Sequence, residues 1–120
     1  MKPGSQVGLR YRDGSTRRAT LMNADMEREI VHIDEDESAS DVPFATLKAV
    51  FFPQIDPDKK PDPTEGSQLA VEFADGEIIR GVAHYNPERN GFFLYPHDRS
   101  KNDRIFVVNS AIMSIEVEKL

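Results

Sequence analysis

Leu69-Ala70-Val71-Glu72-Phe73-Ala74-Asp75-Gly76-Glu77-Ile78-Ile79-Arg80-Gly81-Val82 reads as two alternating runs around one tight turn. Leu69, Val71 and Phe73 alternate with Ala70, Glu72 and Ala74, the period-two pattern of a half-buried strand. Asp75-Gly76 supplies the turn, because glycine accepts the positive φ that a type I′ hairpin needs. Ile78, Arg80 and Val82 resume the alternation as the return strand. Val7 to Thr20 carries a weaker copy of the same pattern around Asp13-Gly14.

Aligning the two Asp-Gly turns sets an offset of 62 residues. Leu9 then meets Val71, Tyr11 meets Phe73 and Arg18 meets Arg80. At the same offset Ile30-Val31-His32-Ile33 meets Phe92-Phe93-Leu94-Tyr95. A three-residue insertion in the second half sets Val42 against Val107, Leu47 against Ile112 and Val50 against Ile115. Three matched blocks in one order predict a duplicated unit. Each unit reads as hairpin, strand, loop, strand, short turn, strand.

These readings predict an all-β chain: a tandem repeat of two small SH3-like or Sm-like β-barrel units packed together. The first unit spans 1–52, a Pro-rich linker 53–67, and the second unit 68–120. A unit of about 50–60 residues buries too little surface to be robust alone, so the two are expected to share an interface. Met22 to Glu29 reads either as one helical turn capped by Asn23 or as a broad loop. Asp34 to Ser38 reads as an exposed charged loop. Pro53, Pro57, Pro61 and Pro63 exclude the linker from any central strand.

There are no cysteines among the 120 residues, which excludes disulfides and thiolate metal sites. No apolar run approaches the roughly 20 residues of a membrane span. Met1-Lys2-Pro3-Gly4-Ser5 lacks the apolar core of a signal peptide, so a cytoplasmic location is expected. A net charge of −6 argues against nucleic acid as partner, although Arg10, Arg12, Arg17 and Arg18 cluster locally.

The second half pairs Val71-Glu72-Phe73-Ala74-Asp75-Gly76-Glu77 and Gly81 with Gly91-Phe92-Phe93-Leu94-Tyr95-Pro96 and Arg104-Ile105-Phe106-Val107-Val108. The first half ends in Pro43-Phe44-Ala45-Thr46-Leu47-Lys48-Ala49-Val50-Phe51-Phe52. Together these blocks resemble a bacterial family of small all-β domains of unknown function, found alone or appended to signalling and motility proteins. That resemblance implies no activity, no catalytic residues and no cofactor. A looser similarity is to Sm-like and SH3-like barrels and to PilZ domains, which bind cyclic di-GMP. The R-x-x-x-R and [DN]-x-S-x-x-G motifs of PilZ domains are absent.

Asp75 and Glu77 form a carboxylate pair, but Asp75 is better explained as a turn residue bonding nearby backbone N–H groups. Ser110 with His84 lacks a nucleophile motif. His32, His84 and His97 lack metal-ligand spacing. The doubled rings of Phe51-Phe52 and Phe92-Phe93 point to opposite faces of their strands. The outward rings need cover from the other repeat, a second chain or a ligand. The expected role is a non-enzymatic binding or adaptor module in a bacterial regulatory or motility pathway, acting through a protein partner or a homodimer. Its candidate contacts are Arg10, Arg12, Arg17, Arg18, Arg80, Phe52, Phe93 and Tyr95. One alternative is a nucleotide or cyclic-dinucleotide receptor, which requires the arginines to converge. The other is a small carboxylate-dependent enzyme.

Overall fold

Alternation around each Asp-Gly turn produces a hairpin in both halves. The computed structural model describes residues 4–53, 66–97 and 101–117. In the first half the strands are β1 (Ser5–Tyr11), β2 (Thr16–Asp25), β3 (Ile30–Glu35), β4 (Ser38–Pro43) and β5 (Leu47–Pro53). In the second they are β6 (Ser67–Phe73), β7 (Ile78–Ala83), β8 (Gly91–Pro96), β9 (Asn102–Val108) and β10 (Ile112–Val117). Single 3₁₀ turns at Phe44–Thr46 and Asn109–Ala111 precede β5 and β10. Most of the expected linker lies outside the described residues. Within them, no helix is long and apolar enough to cross a membrane.

All ten strands form one open antiparallel sheet in the order β10-β6-β7-β8-β9-β5-β1-β2-β3-β4. Each half contributes its own fifth, first, second, third and fourth strands, in that order. The ladders coincide too. Ser5↔Leu21 through Arg10↔Thr16 in β1–β2 are matched by Ser67↔Ala83 through Glu72↔Ile78 in β6–β7. A bulge that skips Lys48 between β1 and β5 recurs as one that skips Met113 between β6 and β10.

One expected alignment is corrected. Val31 lies opposite Val42, and Phe92 lies opposite Val107. Val31 therefore corresponds to Phe92 and Ile33 to Leu94, one residue away from the ungapped match of Ile30 with Phe92. A slip of one residue exchanges the faces of a strand. Val31, Ile33, Phe92 and Leu94 are the buried members.

The turns differ from expectation in a related way. Tyr11 N donates to Ser15 O and Phe73 N donates to Glu77 O, closing three-residue loops. Gly14 (φ 92°) and Gly76 (φ 89°) have positive φ, whereas Asp13 and Asp75 do not, so neither turn is type I′. The geometry with positive φ at both central residues occurs instead at Asp36 (φ 51°) and Glu37 (φ 64°). The charged stretch expected as a loop is thus a tight β3–β4 hairpin. β2 likewise extends through Asp25, across part of the segment that sequence left ambiguous.

The halves join where β5 pairs β9, with Ala49↔Val107, Val50↔Phe106 and Phe51↔Ile105. Leu47 to Val50 and Ile105 to Val108 are buried without alternation. Continuous burial means that both faces of these strands are covered. Of the expected core, Leu9, Leu47, Val50, Val71 and Phe73 are buried. Tyr11, Ile112 and Ile115 are partly buried against it. Gly91 is required by close approach: a Cβ there would lie 2.4 Å from Phe106 Cζ and 2.6 Å from Val107 O.

Candidate functional site

The residues singled out from sequence gather mainly at the junction and along a groove beside it, with Arg80 on β7 and Tyr95 on β8. At the junction, the β5 bulge turns Lys48 off the ladder, as bulges do. Its side chain crosses to the β6–β7 turn of the other half. Lys48 Nζ lies 2.7 Å from Asp75 Oδ2 and 2.7 Å from Glu77 Oε1, and 5.3 Å from the Phe73 ring centroid. Arg10 Nη1 meets the second Glu77 oxygen at 3.1 Å and stacks 4.2 Å from the Phe51 ring. Asp75 Oδ1 also accepts the Glu77 backbone N–H at 3.0 Å.

Lys48 is the buried charged residue among those described, at 5% exposure. Desolvation pulls its pKa down, but hydrogen bonds to Asp75 and Glu77 prevail and raise it above 10.5. The Lys48 hydrogen bond, aided by the Glu77 N–H, holds Asp75 below 3.8. These carboxylates face cations and join the halves. Sequence reasoning passed over Lys48. The available signal was a charge within the apolar run Leu47-Lys48-Ala49-Val50-Phe51-Phe52.

The doubled phenylalanines divide between the two faces of this junction. Phe52 stands 5.9 Å from Phe93, Phe93 stands 5.4 Å from Phe106, and Phe106 stands 5.7 Å from Phe44, between ring centroids. The Arg104 guanidinium lies 4.7 Å from the Phe52 centroid and 5.1 Å from that of Phe93. Phe52 and Phe92 are buried, while Phe51, Phe93 and Tyr95 are half-buried. These ring contacts are all within one chain.

The arginines converge in part. Arg10, Arg17, Arg18 and Lys101 line one open groove of about 700 Å³, beside Phe51. Arg12 does not line it. Its guanidinium donates to Leu47 O, Phe44 O and Ser110 Oγ, tying the first hairpin to both halves. Arg80 also lies outside the groove, exposed on β7. Arg17 is ion-paired with Glu35, whose hydrogen bond raises its pKa. Arg18 is exposed on β2.

Beside the outer strand β4, a second cleft of about 510 Å³ is lined by Tyr11, Arg12, Asp13, Arg17, Asp41, Val42, Pro43 and Thr46. On β3, His32 Nδ1 lies 2.5 Å from Asp41 Oδ1. At the other end, β10 exposes Met113 at 65% and Val117 at 63%. Among the described residues no three His, Asp or Glu side chains gather as a metal site.

The model of a family of unknown function, DUF6982, matches residues 5–119. The chain belongs to that family. The match spans both halves of the sheet, so the DUF6982 domain comprises the whole ten-stranded arrangement rather than one half of it. No curated protein and no solved structure matches the chain.

Proposed function

We propose that this DUF6982 chain is a non-enzymatic binding module that takes up an extended segment of a protein partner by strand addition along β10. The observation that carries this reading is the β10 edge. Among the described residues β10 ends the sheet and pairs on one side with β6. A strand in that position offers unpaired backbone donors and acceptors to another strand. Met113 and Val117 add exposed apolar contacts, and main-chain pairing with side-chain selection is the logic of β-augmentation. The twofold recurrence of order and register supports reading the halves as two SH3-like or Sm-like units. The resemblance to domains appended to signalling and motility proteins supports a cytoplasmic, bacterial regulatory or motility setting.

The groove of Arg10, Arg17, Arg18 and Lys101 beside Phe51 favours a second reading, a receptor for a nucleotide or cyclic dinucleotide. Cations that line a concavity attract phosphate, and an aromatic ring offers a stacking surface. Two of these arginines already face carboxylates, Glu77 and Glu35, which weakens their pull on a ligand.

Retention of native partners on immobilised chain separates the two readings. Strand addition predicts that Val117→Asp loses the partner and Arg18→Ala keeps it, with β10 amides protected in the complex. Loss with Arg18→Ala and retention with Val117→Asp would overturn strand addition in favour of the groove.

A further inference from the structure

The two ends of the sheet are the fourth strand of the first half and the fifth strand of the second. The internal junction joins a strand of each of those two kinds: β9 is a fourth strand and β5 a fifth. The junction is therefore a template for a contact that the ends can make between molecules. We infer that a second copy of this chain is the occupant of the β10 edge, laying its β4 along β10 in the way that β9 lies along β5. This deepens the strand-addition reading by naming its partner.

The ladder registers carry the template from the junction to the ends. Ala49↔Val107, Val50↔Phe106, Phe51↔Ile105 and Phe52↔Arg104 pair at the junction. Their counterparts are Ser114↔Val42, Ile115↔Asp41, Glu116↔Ser40 and Val117↔Ala39. The cleft beside β4 agrees independently. Its lining residues Tyr11 and Asp13 are the counterparts of Phe73 and Asp75, which hold Lys48. Its lining residues Asp41 and Val42 are the counterparts of Phe106 and Val107, which pair with β5. The place that Lys48 fills in the second half is thus an open cleft in the first.

The counterpart of Lys48 is Met113. Both are the residue skipped by the bulge, and Met113 is exposed at 65%. In the inferred contact Met113 of one copy enters the cleft of the next and reaches Tyr11, a sulfur–aromatic contact in place of ammonium over Phe73. The association is weaker than the junction, for two reasons. Asp41 stands where the junction has Phe106, and Ser40 stands where it has Ile105. Asp36, Glu37 and Asp41 on one edge also oppose Glu116 on the other. Salt screens such repulsion, so added salt strengthens the contact. The contact is heterologous, and repetition gives rings or open chains of copies.

The chain has no cysteine, so engineered pairs report cleanly. Ala39→Cys and Val117→Cys proteins, mixed and mildly oxidised, are expected to give a covalent dimer. Ala39→Cys mixed with Ile78→Cys, exposed but on β7, is expected to give none. In sedimentation at high salt, Met113→Gly should weaken association at least tenfold by emptying the cleft beside Tyr11, and Met113→Leu should keep it. Equal cross-linking of both pairs, or a wild-type monomer at high concentration and high salt, would overturn the inference. A monomer whose β10 amides are still protected by a foreign strand would overturn the second copy and leave strand addition standing.

Discussion

The β5–β9 junction and the two ends of the sheet are built from corresponding strands, yet they bury different chemistry. At the junction, Ile105, Phe106 and Val107 meet Phe51, Val50 and Ala49, and Val108 beyond them is buried. At the β4 end the corresponding residues are Ser40, Asp41, Val42 and Pro43, of which Val42 is buried. Gly91 follows the same division. It makes room for the Phe106 ring, while its counterpart Ile30 sits on the half whose strand carries Asp41. The difference teaches that one strand order can serve as a permanent joint or as an exposed edge. Side chains on the second face decide which.

The sharpest way to break this comparison is to make the joint resemble the end. Phe106→Ala should cost about 3–5 kcal/mol in denaturant unfolding, because it empties a site packed by Phe44 and Phe93. The counterpart change Asp41→Ala should stay within about 1 kcal/mol, because its pair with His32 is exposed. Similar costs at the two sites would erase the distinction between joint and end.

A smaller effect is expected from the charges that cross the joint. The lowered pKa of Asp75 means that its contribution is present above 3.8 and is lost as pH falls through the lower folded value. The raised pKa of Lys48 has the opposite sign: its contribution is present below 10.5 and is lost as pH rises through the higher folded value. Thermal melts of the wild type should therefore fall on both limbs, and Lys48→Met should flatten both. Unchanged limbs in that variant would place the pH dependence elsewhere.

The smallest effect belongs to the β3–β4 turn at the outer end. Asp36 and Glu37 hold positive φ without glycine. Glu37→Gly should stabilise the chain by about 0.5–1 kcal/mol, because glycine relieves the left-handed strain. A loss of stability would show that Glu37 contributes more than turn geometry.

How much of this was legible in the sequence varies with how local the cause is. The Asp-Gly hairpins were legible because alternation and a turn glycine act within a dozen residues. Strands covered on both faces were signalled by Ala49-Val50-Phe51-Phe52 and Ile105-Phe106-Val107-Val108, although a run of apolar residues does not say what covers it. The correspondence of β3 with β8 was misread because Ile-Val-His-Ile aligns acceptably with Phe-Phe-Leu-Tyr in either phase. Strand pairing, not composition, decides between the phases. The Asp36-Glu37 turn gave no glycine or asparagine signal. Lys48 with Asp75 was invisible for a different reason: it depends on how two distant hairpins face each other across the joint. The arginine cluster was visible, but its division among Glu77, Glu35, and the backbone and Ser110 contacts of Arg12 was not.

The central claim is that β5 and β9 fuse the two halves into one sheet. Native-state amide hydrogen exchange, resolved by residue, tests it most directly. The account predicts that amides of β5 and β9 exchange slowest and share one opening free energy, while exposed amides of β4 and β10 exchange fastest. Exchange of β5 and β9 at edge-like rates, with each half protected on its own, would contradict it.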